Sequence, residues 1–174
     1  MNWNKISGLH ILCVISMLFQ GCALYSFSGT ALSKEVKTFS VQDFQNQSAL
    51  GPADLAQQVT EKLCGELLQN TPLKQVDSNG DIQFEGMITD FKYMPIAPSS
   101  AAQGDVASRT QLTITLEVTY TNNQDQEFAF SKKKFSQSAD MDASASIIAE
   151  EPSLVEEVLT KLVKDILNAS IANW

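Results

Sequence analysis

Histidine is almost missing from this chain of 174 residues: the single one, His10, lies in an N-terminal apolar run. Any protein that remains after that run is removed has no imidazole. A Ser-His-Asp triad, a Cys-His pair and a His-ligated metal are thereby excluded. Cysteine is scarce, with Cys13, Cys22 and Cys64 as the whole set. Arginine occurs once, at Arg109, and the basic residues cluster once, at Lys132-Lys133-Lys134. With 12 basic against 20 acidic side chains the net charge is −8, which makes nucleic acid a poor partner. No G-x-S-x-G motif and no glycine-rich phosphate loop occurs. Asp140 and Asp142 stand two apart with no third ligand and no glycine-rich loop, so they read as part of a solvated connection and not as a metal site. The composition therefore points away from an enzyme and calls for no cofactor or metal.

No hydrophobic run reaches the length of a membrane span. The longest, Leu9 to Phe19, is too short to cross a bilayer and follows the single charge of Lys5, as an export signal does. It ends in Gln20-Gly21-Cys22. A small residue before a cysteine resembles the lipobox of bacterial lipoproteins, in which the cysteine is acylated and becomes the new N-terminus. On this reading residues 1–21 are a removed signal, residues 22–33 are a lipidated tether with Cys22 as the anchor, and residues 34–174 form a single domain. Three acyl chains at roughly 0.8 kcal/mol per buried methylene make such an anchor effectively permanent. Cys13 leaves with the signal and Cys22 carries lipid, so Cys64 has no disulfide partner. It sits in an apolar helical pattern and reads as a buried, inert thiol.

Beyond the tether, Lys34 to Phe44 reads as a strand with Phe39 and Val41 on one face. Leu55, Val59, Leu63 and Leu67 recur at helical spacing, predicting a helix from about Pro52 to Gln69 that stops at Asn70-Thr71-Pro72. Ile82, Phe84, Gly86 and Ile88 alternate as a strand, and the register change at Phe91 and Tyr93 predicts a bulge near Thr89-Asp90 or departure from the sheet. From Pro95 to Ser108 the chain is small and polar and reads as a long loop. Pro95, Ile96 and Pro98 are its candidate partner contacts, with a merely tolerated insertion as the alternative.

The clearest alternation is Leu112, Ile114, Leu116, Val118 and Tyr120 against Thr113, Thr115, Glu117 and Thr119, a strand buried on one side only. Thr121 to Asp125 turns the chain back into a strand over Gln126 to Gln137, with Phe128 and Phe130 on one face and Phe135 out of step. The lysine run reads either as a charge-blunted edge or as a contact for anions. Ser138 to Glu151 reads as a polar connection. Ser153-Leu-Val-Glu156 has the pattern of a capping box and starts a helix to about Ala169. The resulting fold class is α+β: a two-layer sandwich, two helices packed on one face of a roughly four-stranded mixed sheet, in the order β-α-β-β-β-α.

In this order of segments the chain resembles the outer-membrane lipopolysaccharide-assembly lipoproteins, the LptE family, in the form found in Bacteroidetes-like bacteria. The segments that carry the resemblance are Gly21 to Gly29, Val36 to Phe44, Asp81 to Gly86, Leu112 to Val118 and Asn168 to Trp174. The resemblance implies a non-catalytic subunit that helps an LptD-like β-barrel to assemble, plugs its lumen, and binds lipopolysaccharide. Arg109, Lys132, Lys133 and Lys134 are then the candidate phosphate contacts. It also implies an anchor in the outer membrane facing the periplasm. Ala23 stands where enteric bacteria place a retaining aspartate, and no acidic residue precedes Glu35. An auxiliary lipoprotein of another envelope lipid-transport system is the alternative.

Overall fold

The computed structural model describes residues 32–33, 35–96, 109–126 and 129–171. Cys22, the signal, Pro98 and Phe128 lie outside them. Strands β1 (Thr38–Val41) and β2 (Gln45–Asn46) lead into helix α1 (Leu55–Asn70), then β3 (Lys74–Gln75), β4 (Ile82–Ile96), β5 (Arg109–Asn122), β6 (Phe130–Asp142) and helix α2 (Ile147–Ser170). The sheet order is β3-β1-β4-β5-β6, and β2 pairs with β4 further along the edge that β1 uses.

The expected α+β sandwich is present, with six strands in place of about four. Two physical details account for the difference. The strand expected over Lys34 to Phe44 is interrupted: β1 pairs with Phe84 and its neighbours, Gln42 to Phe44 leave the ladder, and β2 rejoins β4 at Met87. The excursion carries Phe44 into the core, where its backbone N–H donates to the Thr60 hydroxyl at 3.1 Å. Gly86 makes room for the ring, since a Cβ there would lie 2.6 Å from Phe44 Cε1 and 2.7 Å from the Glu117 carbonyl oxygen. The second detail is β3, whose two residues are too short to show any alternation.

β1 runs parallel to both β3 and β4, so α1 belongs to a crossover, whereas β4, β5 and β6 form the expected antiparallel meander. The start of β1 is fastened by Asp81, whose carboxylate accepts from the Lys37 and Thr38 N–H groups at 2.9 and 3.0 Å and from the Thr38 hydroxyl at 2.9 Å. These donors hold its pKa below the usual carboxylate range. The predicted bulge between Ile88 and Asp90 is present, and β4 stays in the sheet beyond it. Inserting one residue returns Phe91 to the core face, and the strand continues to Ile96 opposite Arg109. Pro95 and Ile96 are thus strand residues at the end of β4 and not part of the loop. Proline is tolerated here because β4 beyond Ile88 pairs on one side only among the described residues, leaving the other as an edge.

The polar connection expected from Ser138 does not exist as such: β6 extends to Asp142, burying Ala139 and Met141 in the core while Asp140 and Asp142 stay exposed. Helix α2 begins at Ile147, six residues before the expected capping box, and contains Pro152. The Ser153 hydroxyl donates to the Glu150 carbonyl at 2.9 Å and caps nothing. Pro152 removes only the donor that would reach the carbonyl of Ile148, and Ile148 is 89% exposed, so water can serve that carbonyl. Helix α1 ends as expected, with Thr71 extended and its N–H returned to the Leu67 carbonyl at 3.1 Å.

The core is one cluster between the helices and one sheet face. Leu55, Val59, Leu63 and Leu67 of α1 and Val158, Leu162 and Ile166 of α2 meet Phe39, Ile82, Phe84, Leu112, Ile114 and Leu116, all buried. The Lys62 ammonium also bridges to the Glu156 carboxylate between the helices. Cys64 is only half buried at the margin of this core. Burial, seconded by Asp43 and Glu61, raises its pKa, and the Gln75 amide donates to its sulfur at 3.7 Å.

Candidate functional site: the uncovered sheet face

Both helices lie on one side of the sheet, so the opposite side is uncovered among the described residues. Strand periodicity decides what that side presents: along β5 each even residue from Leu112 to Tyr120 is buried, and each odd one from Thr113 to Thr119 is half-exposed. The same face carries Asp90 and Lys92 of β4, paired at 2.7 Å, and Ser136, Ser138 and Asp140 of β6. Thr115 and Ser136 hydroxyls meet at 3.0 Å, and the Gln111 amide donates to Asp140 at 2.8 Å. The result is a surface mainly of hydroxyls, amides and mixed charges, with Met87, the exposed Met94 and Ile96 of β4 as its apolar members among the described residues.

The four cationic candidates do not converge. Arg109 stands opposite Asp142 at one end of the β5–β6 ladder, and Lys134 stands opposite Glu117 eight positions away. At about 3.4 Å per residue, roughly 27 Å separates them. Arg109 is already 3.9 Å from Asp140. Near it, Asp142 is held below the usual carboxylate range by the Ser144 hydroxyl and N–H, with Arg109 as a minor contributor.

At the other end Lys132 has φ 51°. Its N–H donates to the Thr119 hydroxyl at 3.2 Å across the register shift between Val118 and Tyr120, which explains why Phe130 and Phe135 fall out of step. The shift also turns Lys133 to the core-side margin, where its ammonium lies 5.2 and 5.5 Å from the Phe130 and Phe135 ring centres. Lys132 and Lys134 face the other way. Lys132 lines a shallow cleft of about 200 Å³ with Asp43, Glu85, Glu117, Gln45 and Thr119. Three carboxylates around one ammonium make this a poor cradle for phosphate.

The edge position of β6 agrees with reading the lysines as a charge-blunted margin. The acidic company of Lys132 escaped the sequence reading. It depends on β2 rejoining β4, a pairing of two residues that no periodicity announces.

Comparison with known proteins adds to this picture. No curated protein sequence matches the chain. Among solved structures, a hypothetical protein, CT253, from Chlamydia trachomatis aligns over 79% of this chain and 99% of its own at 8% identity, with a TM-score of 0.51. An uncharacterised lipoprotein B from Nitrosomonas europaea aligns over 76% of this chain and 80% of its own at 14% identity and a TM-score of 0.48. A minor lipoprotein from Acinetobacter baumannii covers 78% and 90% at 12% identity and a TM-score of 0.43. At such identities the likeness to CT253 concerns the fold alone. The family profile reaches further, matching residues 36–170 from the buried Val36 before β1 to the last residue of α2. With its whole sandwich inside that match, the chain belongs to the LptE family, described as lipopolysaccharide-assembly.

Proposed function

We propose that this chain is a lipid-anchored, non-catalytic subunit of an outer-membrane lipopolysaccharide translocon, held on the periplasmic side by Cys22 and seated in an LptD-like β-barrel that it helps to assemble and plugs. The observation that carries the reading is the uncovered polar sheet face on a domain of this family. The lumen of a large outer-membrane barrel is polar, so such a face is a fitting counterpart where an apolar one would not be. Leu32 already packs against the core, so nine residues, or ten Cα-to-Cα steps, separate it from Cys22. Fully extended these reach about 35 Å, so the domain works beside the membrane that holds the anchor. Lipopolysaccharide is a further ligand on this reading. With Arg109 and the lysines at opposite ends of the ladder, phosphate contacts fall at one end or the other and not in a joint site.

The test is affinity purification of the tagged full-length chain from detergent-solubilised outer membrane, beside a Cys22→Ser variant. The expected result is recovery of the translocon barrel with the native chain, an acylated Cys22 by mass spectrometry, and loss of membrane association in the variant. Recovery of a different envelope lipid transporter, or an unmodified Cys22, overturns the reading.

A further inference from the structure

Among the described residues β6 bonds a strand on one side only, and at 13 residues it is by far the longer open edge of the sheet. Which of its backbone groups face outward follows from one contact. The Lys161 ammonium, reaching from α2, takes the Ser138 carbonyl as acceptor at 2.9 Å, so that carbonyl points away from β5. Backbone direction alternates along a strand. Lys134, Ser136, Asp140 and Asp142 therefore turn their N–H and C=O groups to the same open edge. The charges along this edge are segregated, with the lysines at the start of the strand and Asp140 and Asp142 at its end.

We propose that β6 pairs antiparallel with β6 of a second copy of this chain, about a two-fold axis at Gln137. In that register Ser136 faces Ser138, Lys134 faces Asp140, and Lys132 comes beside Asp142, each pair occurring twice by symmetry. Lys134, Ser136, Ser138 and Asp140 are all edge-directed, so those facing pairs are also the hydrogen-bonded ones, whereas Lys132, whose N–H turns to Thr119, contributes its charge alone. Cross-strand pairs of opposite charge stabilise a ladder, and like charges facing one another oppose it. The neighbouring registers are worse: a slip of two residues one way matches only Lys132 with Asp140, and the other way only Lys134 with Asp142. Charge thus favours this register over both of its neighbours.

Lys161 acts as the brake on this pairing, because its ammonium occupies the Ser138 carbonyl while Glu157 holds it at 2.7 Å. Lys132, with its left-handed backbone, ends the regular ladder on the other side. An interface made of one strand edge is small, so the dimer is weak and dependent on concentration. The inference stands independently of the translocon reading.

Sedimentation velocity of the full-length chain in density-matched detergent tests it, with thermal melts confirming that each variant is folded. The expected result is a monomer–dimer equilibrium that salt weakens. Lys134→Asp and Asp140→Lys each turn two attractive pairs into repulsive ones and should raise the dissociation constant about tenfold. Combining them restores complementarity and should return the constant to its starting value, while Lys161→Met should strengthen the dimer. A chain that stays monomeric at every concentration in low salt overturns the proposal. So does a dimer that neither reversal weakens, because its contact then lies elsewhere.

Discussion

At the scale of single residues, the least satisfied group in the core is the Tyr120 hydroxyl. It is buried with no partner in good hydrogen-bond geometry among the described residues, and burial, only partly offset by the nearby Asn122 side chain, pushes its pKa up to about 12. The ring itself is well placed, 4.9 Å from Phe84 and 5.5 Å from Phe130 between centroids. A buried hydroxyl without a partner costs about 1–3 kcal/mol, while the ring contacts survive its removal. Tyr120→Phe should therefore leave stability unchanged or raise it by up to about 1 kcal/mol, measured as a urea midpoint shift at constant slope. A loss of more than about 1 kcal/mol would mean that the hydroxyl is bonded, to Asn122 or to a group beyond the described residues. Tyr93 is the contrasting case. Its hydroxyl donates to Glu151 at 2.8 Å, and burial with that carboxylate raises its pKa well beyond the ordinary tyrosine range.

At the scale of elements, the one-sidedness of the sheet is the property on which the functional reading rests. Leu116→Asp places a carboxylate between helices and sheet where no cation faces it, and should prevent folding. Thr115→Asp, one residue away on the uncovered face, should cost less than about 1 kcal/mol in the isolated protein. Equal losses at the two positions in urea melts would show that the second face is covered as well. This alternation was legible in the sequence because β5 is long and strictly periodic. The β4 bulge was legible for a related reason, since Phe91 and Tyr93 break a period already established by Ile82 to Ile88. The end of β6 and the start of α2 were not legible. Ser138 to Asp142 alternates through Ala139 and Met141, whose small and flexible side chains carry a faint apolar signal, and the Ser153-Leu-Val-Glu156 pattern imitates a helix start that lies six residues earlier. For the site, the polar face could be read from β5 alone. The separation of Arg109 from the lysines could not, because it depends on how β6 pairs with β5.

At the scale of the whole molecule, the two ends of the sandwich are distinct. The chain enters at one end, where Leu32 meets the core and β1 starts beside Ile82. At the other end β4 closes on Ile96 and β5 opens on Arg109, fourteen positions along from Ile82 or roughly 45 Å away. Residues 97–108 join the strands at this far end, outside the described residues. Because Ile96 and Arg109 are direct cross-strand partners, a tight turn is sufficient to connect them, and the hairpin does not require the intervening twelve residues. On the proposed function, that excess of chain makes the segment, Pro98 included, the proposed contact with the barrel, a merely tolerated insertion being the alternative. Replacing residues 98–107 with a short Gly-Ser turn should leave the melting of the domain unchanged, since the core cluster among the described residues is complete without them. The same replacement should reduce recovery of the barrel in a pull-down from solubilised membranes. Undiminished recovery with a folded variant would assign the contact to the polar face of β5, where Thr115→Asp then becomes the substitution that weakens it.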